Sequence, residues 1–413
     1  MINELLELKL EKPDDYWGDR AKIPLFSKRP FYEYEDGIVP IEDVITLSVD
    51  RRDAQSRKVF NCLVCASTGV GKSRLTKNVI KGFWKQGYKI LIIEPKGNEM
   101  LNARKKGKAK RIHHLDKNEK LPVVSYVPNY AKAFLTINKR DDIIKKTKFY
   151  SPDVRLMNYR EIWMSLGVPA QAADMITEMV SKGHTKVSYF LTKLMQRNLH
   201  PSTRRAVDNS LNNLLGTKFF ANNKKLELKK EWDKKNIVTV NYYSQDGVFM
   251  NTDIGLILDS VRDIGIEEMR GGLRNVSKKL LIFDDAFYYA GMSAALANKS
   301  GGMNLAARNI SNCQNNFRTW GVDTMFIVQS PDSNSVLPNL IDGCTTKLIS
   351  YIENPLALQA KLPYQAFELL RPSKPDRASL FIDEDKYTFQ WIMAQGKTKW
   401  EIGFPFDVTV GHI

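Results

Sequence analysis

Two kinds of hydrophobic run alternate along the chain. Short, mostly apolar blocks rich in β-branched residues occur at 59–64, 89–93, 237–240, 280–283, 323–328 and 347–352. Blocks of that length with so few polar positions predict strands buried on both faces, as in a parallel sheet covered by helices. Between the blocks, apolar residues recur every three or four positions. Leu75, Val79 and Phe83 form one stripe, Val187, Phe190, Leu191, Leu194 and Met195 a second, and Val207, Leu211, Leu214 and Leu215 a third after Pro201-Ser202. This spacing predicts amphipathic helices, and further helices are expected at 254–269 and 306–320. The first 45 residues read differently. Pro13, Pro24, Pro30 and Pro40 stand among Tyr16, Trp17, Phe31, Tyr32 and Tyr34, which forbids a long helix and predicts extended segments packed across the rest of the molecule. Ile45, Leu47 and Val49 then alternate, predicting a hairpin-like strand that leads into the central sheet, and the aromatic stretch 387–391 predicts a late strand.

Strand and helix in alternation define an α/β class with a doubly wound, mainly parallel sheet. The helical stripes cluster between residues 101 and 235, so the predicted organisation is an extended segment (1–45), a sheet domain (46–100 and 236–413) and an inserted, mainly helical domain (101–235). The insertion is also basic, with clusters at Arg104-Lys105-Lys106, Lys145-Lys146 and Lys224-Lys225 among others.

Chemistry enters where the first buried block ends. Ala66-Ser67-Thr68-Gly69-Val70-Gly71-Lys72-Ser73 follows it at once, with Arg74 continuing into the first helical stripe. This is the phosphate-binding pattern GxxxxGKS with alanine at its first position. Glycine is needed chiefly where backbone N–H groups turn inward around phosphate oxygens, which is the task of Gly69 and Gly71. Lys72 is placed to reach the β- and γ-phosphates of ATP and the Ser73 hydroxyl to reach Mg2+, while the helix start adds its dipole. The 280–283 block runs into Asp284 and Asp285, the arrangement that orders a magnesium ion with one carboxylate and polarises water with the next. Gln329 ends the 323–328 strand and is a candidate reader of the γ-phosphate. Arg318, with Arg308 as second choice, is a candidate cation for a neighbouring subunit's nucleotide. Pro95-Lys96-Gly97 forces a turn at the ligand-binding edge of the sheet, placing Lys96 and Glu99 near the nucleotide or a subunit interface.

Composition narrows the class. An apolar fraction of 43% over 413 residues supplies an ordinary globular core, and 62 basic against 46 acidic residues give a net charge of +16, suited to polyanions. Four cysteines suggest a reducing compartment. Cys62 and Cys65 share a strand at a spacing that does not converge on a metal, so core packing is expected. Residues 1–10 lack the features of a secretory signal, and no run of eighteen apolar residues occurs, so a protein without a membrane span is expected, cytoplasmic or associated with a virion.

Four motifs, in this order, resemble those of the HerA/FtsK superfamily of DNA-pumping ATPases, which includes conjugative coupling proteins and viral genome-packaging ATPases. They are ASTGVGKS at 66–73, IIEPKGNE at 92–99, LLIFDD at 280–285, and RTWGVDTMFIVQSPDSNSVLPNLIDGCTTK from 318 to 347. The resemblance implies a RecA-like P-loop NTPase core, a homo-hexameric ring and sequence-independent double-stranded DNA threaded through it, with a capsid, portal or secretion channel as partner. Residue by residue it implies Lys72 and Ser73 at the nucleotide, Asp284 at Mg2+, Asp285 as the carboxylate activating water, Gln329 as sensor and Arg318 as the finger acting in trans. Cellular members usually carry Asp-Glu where this chain has Asp284-Asp285; some viral packaging members are similar to it there. The expectation is a DNA-translocating ATPase, with a coupling-type ATPase and a non-hydrolysing, ATP-dependent assembly protein as alternatives.

Overall fold

A computed structural model describes residues 20–24, 31–34, 37–40, 46–50, 59–67, 72–97, 121–220, 224–243, 247–290, 305–329, 338–350, 352, 390–395, 401–402 and 406–407. Four short strands come first: β1 (Arg20–Pro24), β2 (Phe31–Tyr34), β3 (Gly37–Pro40) and β4 (Thr46–Asp50). The strand expected from the alternation at 45–49 is β4, but it does not lead into the central sheet. It pairs antiparallel with β1, in register from Arg20 with Asp50 to Pro24 with Thr46, as a separate two-stranded ribbon. Strands buried on both faces of a sheet read as near-continuous apolar runs, and 45–49 instead alternates.

The core follows as β5 (Asn61–Cys65), α1 (Lys72–Lys85), β6 (Lys89–Glu94), β7 (Val123–Pro128), α2 (Asn129–Ile137), α3 (Asp141–Ile144) and β8 (Lys148–Tyr150). Then come α4 (Arg160–Ser165), α5 (Ala170–Ser181), α6 (Val187–Met195), α7 (Pro201–Gly216), α8 (Leu228–Asp233), β9 (Ile237–Asn241) and α9 (Gly247–Arg270). The chain closes with β10 (Lys279–Phe283), α10 (Phe287–Ala290), α11 (Leu305–Asn316), β11 (Val322–Val328), α12 (Pro338–Gly343), β12 (Thr346–Ile349), β13 (Gln390–Gln395), β14 (Glu401–Ile402) and β15 (Phe406–Asp407). Eight strands lie in the order β12-β5-β11-β10-β6-β9-β7-β8, every neighbouring pair parallel. β13 adds to β12 antiparallel at one edge.

Both faces of this sheet are dry. Leu63, Leu91, Leu281 and Phe326 point into one apolar cluster, and Cys62, Ile90, Ile282 and Met325 into the opposite one. Cys62 and Cys65 accordingly lie on opposite faces, both buried with free thiols. Helix α1 covers the second face with Leu75, Val79 and Phe83, each fully buried and worth about 1.5–3 kcal/mol of transfer free energy. Helix α9 covers the first with Met250, Ile254, Ile257 and Val261. Its other side, through Phe249 and Leu256, closes the core of α4 to α7, where Trp163, Phe190, Val207 and Leu211 are buried. One long helix thus joins the sheet to the helical layer between β8 and β9. Two of the sheet's own strands, β7 and β8, fall within the stretch 101–235.

Candidate active site at the carboxyl edge of the sheet

Because β5, β11, β10 and β6 are adjacent and parallel, their carboxyl ends open on one edge, where doubly wound sheets hold ligands. Each end delivers a polar group there: Ala66-Ser67 after β5, Gln329 after β11, Asp284-Asp285 after β10 and Pro95-Lys96-Gly97 after β6. Backbone hydrogen bonds fix the exits. Ala66 N donates to Val328 O at 3.2 Å, Asp284 N to Ile93 O at 3.0 Å, and Ala286 N to Ile327 O at 3.1 Å.

Lys72 opens α1, and its ammonium donates to Ala66 O at 2.6 Å and Ser67 O at 2.9 Å, so the side chain turns back towards the carboxyl end of β5. Burial, the largest influence, pulls the Lys72 ammonium below its ordinary pKa, while the negative charges of Asp285 and Asp284 oppose that shift. The lysine therefore sits within the field of both carboxylates. Ser73 follows it, half-buried in the first turn. Thr68, Gly69, Val70 and Gly71 lie outside the described residues, as do Glu99 and the side chains of Arg74 and Arg318. The backbone of Arg318 belongs to a 3-10 turn, Phe317–Trp320, between α11 and β11. Arg308 lies on α11, half-buried.

Asp285 is the meeting point. Its backbone adopts the left-handed conformation, φ +42°, which aspartate tolerates better than most residues. One carboxylate oxygen accepts from Gln329 Nε2 at 3.2 Å and the other pairs with Lys96 Nζ at 2.9 Å. The Lys96 ammonium also lies 5.5 Å from the centre of the Tyr288 ring. Tyr289, in α10, donates its hydroxyl to Asp284 O at 2.8 Å. Burial and the nearby charges of Asp284, Asp285 and Glu94 push its phenol well above the ordinary pKa, so it stays a donor.

The Lys96 turn has its own support. Gly97 holds φ +105°, and a Cβ there would stand 1.9 Å from Cε1 of Tyr243, so the ring lies flat against the glycine backbone. Tyr243 itself has φ +47° and is anchored among Ala131, Leu135 and Ile143 of α2 and α3. The sequence marked Lys96 by its position, but not Tyr243, Tyr288 or Tyr289. Gly97 followed by a bulky partner elsewhere leaves no local signal; the Tyr242-Tyr243 pair at the end of a buried strand is the trace that was available.

Lys72, the serine beside it at a helix start and a carboxylate pair at the same edge are the donor set that a magnesium-bound nucleoside triphosphate requires, and the residues present fit it. Fold and site together define a P-loop NTPase with a RecA-like α/β core. Residues 60–265 match the family described as Helicase HerA, central domain. Over that stretch the chain carries a HerA-type central domain on a P-loop NTPase fold. Its fold is similar to VirB4 of Thermoanaerobacter pseudethanolicus, with a TM-score of 0.57 at 12% identity over 94% of this chain and 97% of that one. It is also similar to the plasmid coupling protein TrwB in complex with the GTP analogue GDPNP, with a TM-score of 0.51 at 10% identity over 88% and 87%. No curated protein matches the sequence. Among the described residues no helix is long and apolar enough to cross a membrane.

Proposed function

We propose that this protein is an ATP-driven motor that assembles as a homo-hexameric ring and translocates double-stranded DNA. The observation that carries the reading is the junction at Asp285, where the residues after three adjacent strands touch: Lys96 after β6, Asp285 after β10 and Gln329 after β11. A binding protein needs a phosphate loop alone; a motor needs a link between the group that activates water and the group that reports the nucleotide's state. Here that link is a single hydrogen bond. In this reading Lys72 holds the β- and γ-phosphates, with Ser73 and Asp284 at the magnesium ion. When bound, that ion supplies charge neutralisation of the phosphates. Asp285 orients the attacking water and accepts its proton, and Gln329 relays the change through β11. Arg318 reaches the nucleotide of the adjoining subunit. The net charge of +16 supports a grip on phosphates without regard to sequence.

A second reading is a coupling-type ATPase that delivers a nucleoprotein to a membrane channel. The likeness of fold to VirB4 and TrwB, extending over most of all three chains, supports it. In either case the helices between β8 and β9 belong to an inserted unit that presents basic surface to the cargo.

Steady-state ATP hydrolysis with and without linear duplex DNA, across a salt series, tests the motor. Turnover is expected to rise with DNA, the rise to fade as salt increases, and Lys72→Ala to abolish it. Nucleotide binding without turnover under every DNA condition would leave an assembly switch in place of a motor.

A further inference from the structure

Away from the sheet edge, the helical layer forms a half-open cavity of about 670 Å³ between the loop after β8, the start of α6 and the end of α7. That volume lies in the range of small-molecule sites. Four cationic side chains line it, Arg155, Lys186, Lys218 and Lys225, against the single carboxylate of Asp153. Asp153 is already engaged: Arg155 Nη2 reaches it at 2.9 Å and Lys225 Nζ at 2.6 Å. Lys186 and Lys218 have no acidic partner among the described residues. The cavity lining therefore carries excess positive charge, and like charges held around one space favour an anion within it.

Its floor is not charged. Val187 and Leu214 are buried there, Phe220 shows part of its ring, and Leu215 remains exposed. Thr185 and Ser188 add hydroxyls at the mouth. A DNA duplex would touch only the rim and leave this floor unused, since phosphate contacts need no apolar recess. An extended acidic peptide spaces its carboxylates along a groove, whereas these cations surround one compact space. Concentrated charge beside a flat apolar body is the chemistry of a nucleoside phosphate: lysines act as point charges for phosphate, and a base rests on apolar and aromatic surface.

We infer that this cavity is a second nucleotide site, remote from the phosphate loop, which binds a nucleoside phosphate with its base on the Leu215 and Phe220 floor and its phosphates between Lys186 and Lys218. The shared chemistry has two sources, a free nucleotide or the phosphorylated end of a single strand. Neither depends on the motor reading, because the site uses none of the residues at the sheet edge.

The full chain carrying Lys72→Ala, which disables the phosphate-loop grip, isolates the site. Titration calorimetry of this variant with ADP, pyrophosphate, adenosine and a 5′-phosphorylated ten-nucleotide single strand separates the outcomes. Expected is one saturable equivalent of ADP or strand, with pyrophosphate and adenosine each about tenfold weaker. Adding Lys186→Glu and Lys218→Glu, both exposed, is expected to weaken binding at least tenfold, and Leu215→Asp about fivefold or more. Unchanged unfolding midpoints would show that these variants remain folded. A tighter strand than ADP assigns the strand end; the reverse assigns the free nucleotide. Equal affinity for ADP and pyrophosphate, binding indifferent to the three substitutions, or tighter binding of a poly-glutamate peptide would each overturn the inference. ATP turnover by the chain with Lys72 intact is measured separately, so loss of the motor reading and loss of this one remain distinct results.

Discussion

At the scale of single residues, the Lys96–Asp285 pair separates catalysis from stability. Lys96 is two-fifths exposed, and pairs of that kind contribute about 1 kcal/mol or less to folding. If Asp285 activates water as proposed, Lys96→Ala should therefore leave the unfolding midpoint nearly unchanged, yet lower kcat about tenfold with little change in KM for ATP, because the lysine pairs with that carboxylate. A fall in stability matching the fall in rate would make the contact merely structural. Asp253 behaves in the opposite manner. It is buried on α9, accepts from the Tyr150 hydroxyl, and burial raises its pKa from 3.8 to about 7. The folded state then holds a proton that the unfolded state releases. The resulting stability is complete below about pH 4 and is lost as pH rises toward 7, at about 1.4 kcal/mol per unit as an upper bound. Asp253→Asn should consequently gain stability relative to the parent between pH 5 and pH 8 in urea unfolding; a difference independent of pH would refute the burial argument. The convergence of Lys72, Asp284, Asp285 and Gln329 on one edge was legible because each follows an apolar block that becomes a parallel strand of the same sheet. The support that Tyr243 lends to Gly97 was not, since only the fold brings residues so distant in sequence together.

Two elements meet closely where α9 crosses α11. A Cβ at Gly255 would stand 2.3 Å from Leu305 Cγ, and Asn309 Nδ2 donates to Gly255 O at 2.9 Å, so the Leu305 side chain packs directly on the glycine backbone. Gly255→Ala is expected to cost about 1–3 kcal/mol through overpacking. Shortening Leu305 to alanine in the same chain should recover part of that loss, and strictly additive effects would place the damage elsewhere. This crossing was invisible in the sequence, where residues 254–269 read as an ordinary helix; α9 begins at Gly247 and is buried on two sides, which blurs its periodicity. The mostly apolar blocks predicted β5, β6, β9, β10, β11 and β12 to within a few residues because a doubly covered strand admits few polar side chains. β7 and β8 escaped notice for a complementary reason: β7 sits between prolines and interleaves Ser125, and β8 has three residues at the end of the parallel order.

For the whole molecule, the proposed ring makes each active site a property of two subunits. Arg318→Ala should retain nucleotide binding and lose turnover by about 10³-fold or more. Mixed with Lys72→Ala subunits, it should regain part of the activity, since some interfaces would then pair an intact Lys72 with an intact Arg318. No recovery on mixing would place the finger at Arg308 or confine the chemistry to one subunit. The strand order carries a further consequence. β5 and β6 are joined by a single helix, yet in the sheet β11 and β10 lie between them, and those strands are encoded some 200 residues later. On the ribosome, the chain through α9 therefore carries a gap two strands wide, with the backbone edges of β5 and β6 unpaired on the sides that face each other. Parallel pairings over such separations form late and leave sticky edges exposed meanwhile. The Ala66-to-Val328 hydrogen bond at the root of the phosphate loop can close only after β11 has joined β5, so the nucleotide site is completed late, when most of the chain has been made.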